Sequence, residues 1–175
     1  MTTSLVLTVI GRDRPGLVSA LSDKAAALGA NWLESRMAHL AGHFAGIVHL
    51  EVADDRVDRL LADLRSLDAI GLHVEATRTE PSAGAGGRAL ALDLVGQDKP
   101  GIVRDVSRTL AGLGVSIESF ESEVASGAMS GEALFRAHAR LRVPESVSGD
   151  ALRRAMEALA NELMVDLELA DPPAA

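Results

Sequence analysis

A chain of 175 residues has room for two domains of roughly 80 residues each, and its net charge of −8 argues against duplex nucleic acid as a direct partner. Such binding needs a surplus of Lys and Arg facing the phosphates. The chain is 47% hydrophobic but only 2% aromatic and has no cysteine, so its cores are built from Leu, Val, Ile, Ala and Met, and disulfides, thiolate catalysis and Cys-based metal sites are excluded.

The first residues, Met1-Thr2-Thr3-Ser4, lack the basic region and cleavage site of a signal peptide. No apolar run approaches the ~20 residues of a membrane span. A soluble cytoplasmic protein is expected. Residues 5–10 form a short apolar run ending in glycine, a strand buried on much of both faces. Residues 15–28 have helical spacing, with Pro15 suited to the first helical turn and Gly29 to the C-terminal cap. Residues 32–40 alternate loosely, with Leu33, Ser35, Met37 and His39 on one side. Ala41-Gly42-His43 reads as a hairpin turn and residues 45–52 as the return strand. Residues 56–67 predict a second helix with Leu60, Leu61, Leu64 and Leu67 inward, and residues 72–78 a fourth strand. The order β-α-β-β-α-β is a split βαβ unit.

Residues 79–88 mark the boundary, with Pro81-Ser82-Ala83-Gly84-Ala85-Gly86-Gly87 a flexible linker by composition. The same course then repeats: strand 89–95, helix 100–113, hairpin strands 117–124 and 133–143, helix 150–161, strand 163–169. The expected domains are 1–79 and 89–171, with a linker at 80–88 and a frayed tail at 172–175. The second hairpin is longer by about six residues, with residues 126–131 at its tip; no Gly-Lys-Ser/Thr follows them, so this is no phosphate loop. The fold class is α+β: two antiparallel four-stranded sheets, each with its helices on one face. In strand 89–95, Leu90, Leu92 and Leu94 alternate with Ala91, Asp93 and Val95. Neither side is strongly polar, which favours packing against a neighbouring domain or in a homodimer.

The repeat is literal at one place. Gly11-Arg12-Asp13-Arg14-Pro15-Gly16-Leu17-Val18 returns 85 positions later as Gly96-Gln97-Asp98-Lys99-Pro100-Gly101-Ile102-Val103. The register continues through the helix, so two copies of one small domain are present. Each copy leads a strand through an Asp-x-Pro-Gly turn into a helix. A helix start offers unpaired N–H groups and the positive end of the dipole, which suits a carboxylate. Asp13 and Asp98 stand where they could cap the helix or meet an ammonium group. Carboxylate and ammonium together describe a free amino acid. The plainer alternative is a well-capped turn.

The motif Gly-x-Asp-[Arg/Lys]-Pro-Gly-[Leu/Ile]-Val, followed by a helix ending Leu-Gly-[Ala/Val]-[Asn/Ser], resembles the ACT domain over nearly all of both copies. The resemblance implies two ferredoxin-like modules that bind amino acids at interfaces between domains. It places the turn before the first helix and a residue opening the second strand at the ligand. On this sequence those are Asp13, Arg14, Pro15, Gly16, Leu17 and Asn31, and in the second copy Asp98, Lys99, Pro100, Gly101, Ile102 and Ser116. Asn31 can donate to a carboxylate and accept from an ammonium, whereas Ser116 reaches less far, so the second site is expected to be altered or lost.

Tandem ACT domains alone resemble the glycine cleavage system transcriptional repressor family. That implies a non-enzymatic regulator binding glycine or serine, acting through a protein partner such as a transcription factor, as a homodimer and with no other cofactor. The first copy also resembles the ACT segment of formyltetrahydrofolate deformylase and of some phosphoserine phosphatases. No catalytic domain is expected to fit after the two copies. An interaction module with no small-molecule ligand is the rival reading.

His39-x3-His43 has metal-like spacing only on a helix. On strand and turn, His39, His43 and His49 read as surface or hairpin residues, and His73 and His138 as ordinary strand residues. Glu118, Glu121 and Glu123 with Ser119 and Ser122 read as a solvated strand face. Trp32, the lone Trp, follows Asn31, which would suit a place at the domain interface or beside the ligand, but core packing is the preferred reading. No Ser/His/Asp spacing suggests a nucleophile set.

Overall fold

The computed structural model describes residues 1–80, 86–126 and 132–172. The chain divides into two compact units, Met1–Ala83 and Gly84–Ala175. Most of the expected linker (81–85), most of the second hairpin tip (127–131) and the tail residues 173–175 lie outside the described residues.

The first unit runs β1 (Thr2–Arg12), α1 (Leu17–Ala27), β2 (Asn31–Leu40), β3 (His43–Ala53), α2 (Val57–Arg65) and β4 (Leu72–Thr79), with 3-10 turns at Asp54–Arg56 and Ser66–Ile70. The sheet order is β2-β3-β1-β4, and every neighbouring pair is antiparallel. Alternation in β1 sends Leu5, Leu7 and Val9 into the core, where they meet Val48, Leu50 and Val52 of β3 and the inner residues Leu21, Leu60 and Leu64 of the helices. The expectation that β1 is buried on both faces does not hold. Thr8 is exposed and Ile10 is 51% exposed, because both helices cover the same face. No charged or polar residue is buried among the described residues.

Helix α1 ends as its sequence demands. Gly29 takes φ 65°, open to glycine at no steric cost. Gly29 N–H then donates to Ala26 O and Ala30 N–H to Ala25 O, both at 2.9 Å, a Schellman closure. The second copy repeats it with Gly114 N–H to Ala111 O at 2.9 Å and Val115 N–H to Leu110 O at 3.0 Å.

The second unit runs β5 (Arg88–Gln97), α3 (Ile102–Gly112), β6 (Ser116–Ser126), β7 (Ala133–Val143), α4 (Gly149–Leu163) and β8 (Val165–Ala170), with sheet order β6-β7-β5-β8. The final strand begins later than expected, since Leu163 still belongs to α4 and Met164 breaks the helix at φ 53°. Helix α4 opens with a Ser148 cap, whose Oγ accepts from Ala151 N–H at 3.2 Å. Leu92 and Leu94 enter a core with Val106, Leu110, Leu141, Leu152 and Met156.

The open face of this sheet is more polar than β5 alone implies. Asp93 faces His138, with Nδ1–Oδ1 at 2.8 Å, and His138 and Arg136 in turn pair with Glu121 and Glu123 of β6. The residues of β5 by themselves show little polarity; its neighbours bring the charge. Both units therefore present a four-stranded antiparallel sheet with two helices on one side, the ferredoxin-like arrangement.

Candidate functional site

The duplicated turn sits at the same place in both units. Past the end of β1, Asp13 N–H donates to Gly42 O at 3.0 Å, tying the turn to the β2–β3 hairpin; Asp98 N–H does the same to Ala133 O at 2.9 Å. The chain then passes through proline to a glycine in the left-handed region, Gly16 at φ 94° and Gly101 at φ 98°. Each glycine is the residue before the helix, so Pro15 and Pro100 stand in the turn and not in the first helical turn as expected. The left-handed glycine between proline and helix is what displaces them.

The motif's first glycine has a different task. A Cβ on Gly11 would run into the Gly71 carbonyl, and one on Gly96 into the Val165 side chain. These glycines let the last strand of each unit cross closely, and their role is packing.

Of the residues expected at the site, Asp13, Arg14, Pro15 and Gly16 are exposed, as are Asp98 and Pro100, while Lys99 and Gly101 are half-buried. Leu17 and Ile102 are each 3% exposed. Their side chains belong to the two cores, and only their backbone stands at the turn. Neither α1 nor α3 has a side-chain cap, so the plain capping role considered for Asp13 and Asp98 is not taken up. Asp13 instead lies beside His39, with Oδ2–Nε2 at 3.7 Å. In the second unit the position 85 residues on from His39 is Val124.

Asn31 and Ser116 are not brought to these turns within their own units. Asn31 opens β2 opposite Glu51, and Glu51 in turn pairs with Ser4 near the start of β1. The Asp13–Gly16 turn follows the other end of β1, and the 11 residues of α1 span about 16 Å between the two. Ser116 likewise opens β6 opposite Arg142. A site that uses both the turn and Asn31 needs the second element from another copy of the fold.

Immediately after Asn31 the strand bulges. The β2–β3 register shifts between Trp32 and Glu34, and the β6–β7 register between Ile117 and Ser119. The extra residue, Leu33, is 46% exposed, and Trp32 takes the inward place opposite Leu50, packing on the core. Leu33 therefore does not share a side with Ser35, Met37 and His39 in the way simple alternation predicts. In the second unit the bulged residue is Glu118, which accepts from Arg142 Nε at 2.8 Å.

The histidines are spread over the sheets. His43 Nδ1 is 3.2 Å from Ala41 O, and His49 Nε2 is 2.5 Å from Ser4 Oγ. Among the described residues no group of three or more His, Asp and Glu gathers in metal-binding geometry. Among the described residues no helix is long and apolar enough to cross a membrane.

Sequence reading missed a pair beside the second turn. Arg104 donates to Asp105 through Nε at 2.8 Å and Nη2 at 3.2 Å. This hydrogen bond holds the Asp105 carboxyl below its usual range. A Cβ placed on Gly101 would lie 3.0 Å from Arg104 Nη2 and 3.6 Å from Asp105 Oδ2, whereas one on Gly16 would meet nothing within 4 Å. The corresponding residues of the first copy, Ser19 and Ala20, cannot form such a pair.

Comparison with known proteins agrees with this architecture. Residues 3–77 match the ACT domain family model. A protein of unknown function from Galdieria sulphuraria is 30% identical, with 98% of this chain and 99% of that one covered and a TM-score of 0.87. A protein provisionally assigned as a glycine cleavage system transcriptional repressor is 21% identical over 97% of this chain and 96% of its own, with a TM-score of 0.74, a likeness of fold. No protein of curated function matches in sequence. The family model makes the first unit an ACT domain, and the second unit repeats its fold and its turn, so the chain is two ACT-type repeats in tandem.

Proposed function

We propose that the protein is a non-enzymatic regulator that senses a small amino acid, glycine or serine, and passes the signal to a protein partner such as a transcription factor. The observation that carries this reading is the exposed Asp13–Gly16 turn. There a left-handed glycine opens an uncapped helix beside an exposed carboxylate. The helix start would take the ligand carboxylate and Asp13 its ammonium group. Asn31 would be supplied by a second copy of the chain in a cytoplasmic homodimer, since it stands at the far end of its own sheet. Binding then shifts affinity for the partner by the difference in ligand affinity between the two states. Full-length likeness of fold to the provisionally assigned repressor supports the transcriptional side of this reading, and the net charge of −8 supports a protein target over direct contact with duplex DNA.

The test is the melting temperature against each of the twenty amino acids at millimolar concentration. A ligand at 100 times its Kd adds about 2.7 kcal/mol. A shift with one or two of them, lost in Asp13→Ala, is the expected result. No shift with any would favour a second reading, an interaction module working through the open sheet face of the first unit, where Ile10 and Ile47 are 51% and 49% exposed.

A further inference from the structure

The sheet of the first unit has two edges, β2 and β4. The bulge interrupts β2, whereas β4 runs beside β1 in unbroken register from Leu72 to Thr79. At the two ends of β1, Asp13 N–H donates to Gly42 O and Asp54 N–H to Met1 O. Odd-numbered residues of β1 therefore turn their main chain toward β3, and even-numbered ones toward β4. The β4 residues opposite those even ones are His73, Glu75, Thr77 and Thr79. Leu72, Val74, Ala76 and Arg78 are left with N–H and C=O groups turned away from the sheet. The side chains of Leu72, Val74 and Ala76 lie on the core side, where a groove of about 520 Å³ between β4 and α2 is walled in part by Leu61, Leu64, Val74 and Ala76. His73 and Glu75 stand exposed on the open face, with Nε2 and Oε1 3.6 Å apart.

We infer that β4 receives a second copy of the chain, the two β4 strands pairing antiparallel about a two-fold axis at Val74. Only the even-numbered residues can bond outward, so even must lie opposite even across the axis. Three registers satisfy this and keep most of β4 paired. The one centred on Glu75 sets two carboxylates directly opposite each other, which is unfavourable. The one centred on Ala76 sets Val74 against the partner's Arg78 on the core side. The register centred on Val74 sets His73 opposite the partner's Glu75, and Glu75 opposite the partner's His73. It also places the partner's Val74 on Val74 and the partner's Ala76 on Leu72, so apolar meets apolar on the core side. His73 and Glu75 then fall at non-hydrogen-bonded positions, where facing side chains approach most closely. The matching edge of the second unit lacks this complementarity. Asp166 and Glu168 are the exposed residues in the middle of β8, and every register centred on residues 166 to 168 sets carboxylate against carboxylate. Asn31 stands on β2, the opposite edge of the first sheet, so the β4 contact is separate from the one that would carry Asn31 to a turn.

The experiment is sedimentation equilibrium of the whole chain over a range of concentrations, with circular dichroism to check folding. The proteins are the wild type, Ala76→Pro, His73→Glu, Glu75→Lys, and His73→Glu/Glu75→Lys. The wild type is expected to associate. Ala76→Pro removes an outward N–H without touching the ladder to β1, and should halve the limiting mass. Each single charge substitution sets like charges across the axis at two symmetric positions, and should weaken association about tenfold. His73→Glu/Glu75→Lys restores opposite charges there and should recover most of the affinity. A wild type that stays monomeric overturns the inference, as does an unchanged limiting mass in a folded Ala76→Pro. Equal association by all the charge variants, or no recovery in the double variant, overturns it as well, and these variants decide alone if Ala76→Pro does not fold. None of these results bears on the amino-acid reading, which stands or falls on the melting shift and its loss in Asp13→Ala.

Discussion

Arg56, just ahead of α2, donates from Nη1 to the main-chain oxygen of Leu28 at the end of α1, at 3.0 Å. A cation at the negative end of a helix is favourable, and here it also satisfies a terminal carbonyl. The contact fixes the exit of α1, and so the entry to Asn31. Arg56→Ala is expected to cost about 1 kcal/mol. In urea the unfolding midpoint should fall with an unchanged slope, as for a change in stability alone.

The first glycine of each motif copy makes a sharper prediction. At Gly11 the obstacle to a Cβ is backbone, the Gly71 carbonyl, which cannot rotate away. Gly11→Ala is expected to destabilise by about 1–3 kcal/mol. At Gly96 the obstacle is mainly the Val165 side chain. Val165→Ala removes the Cγ1 contact but keeps a Cβ 2.9 Å away, so it should rescue Gly96→Ala only in part, and a double-mutant cycle on thermal unfolding should show coupling of at least about 0.5 kcal/mol.

His73 lies on β4 with Nδ1 3.0 Å from Asp68 Oδ1 and Nε2 3.6 Å from Glu75 Oε1. Its hydrogen bond to Asp68, and then the nearby Glu75 carboxylate, raise its pKa above the ordinary value of 6.5. A group whose pKa is raised by folding contributes stability that is fully present below the unfolded value and is lost as pH rises through the folded value. The ring proton signal of His73 should titrate above 6.5, and in Asp68→Asn its midpoint should fall back toward that value. A midpoint unmoved by Asp68→Asn would refute the pairing.

The β2–β3 hairpin turns through Ala41 at φ 50° and Gly42 at φ 77°. Two left-handed residues in succession make the turn that favours Asn-Gly. Alanine pays a steric penalty at the first position that asparagine largely avoids. Ala41→Asn is expected to raise the melting temperature by a few degrees, corresponding to about 0.5–1 kcal/mol. An unchanged or lower value would mean that the turn relaxes in the native protein.

Much of this fold is legible because its signals are local and duplicated. The 85-residue offset, the Gly29 and Gly114 helix ends and the Leu60, Leu61, Leu64, Leu67 stripe each follow from a periodicity or a backbone requirement. Misplaced features depend on partners that a linear reading does not see. Leu33 breaks alternation because a bulge belongs to a pair of strands and not to one. The polarity around Asp93 arrives from β6 and β7. The usual preference of proline for a first helical turn puts Pro15 there, but the left-handed Gly16 moves the helix start beyond it. Arg104 and Asp105 carry no motif, and only their position beside Gly101 gives them meaning.

The repeated bulge has a consequence for solubility. β2 and β6 each form one of the two edges of their sheets, and a long, flat edge strand is a template onto which another chain can add and propagate an aggregate. An extra residue at Leu33 and at Glu118 interrupts the row of free N–H and C=O groups and increases the local twist. Each copy thus carries in its backbone a guard against unwanted strand addition, whichever side chain occupies the bulge.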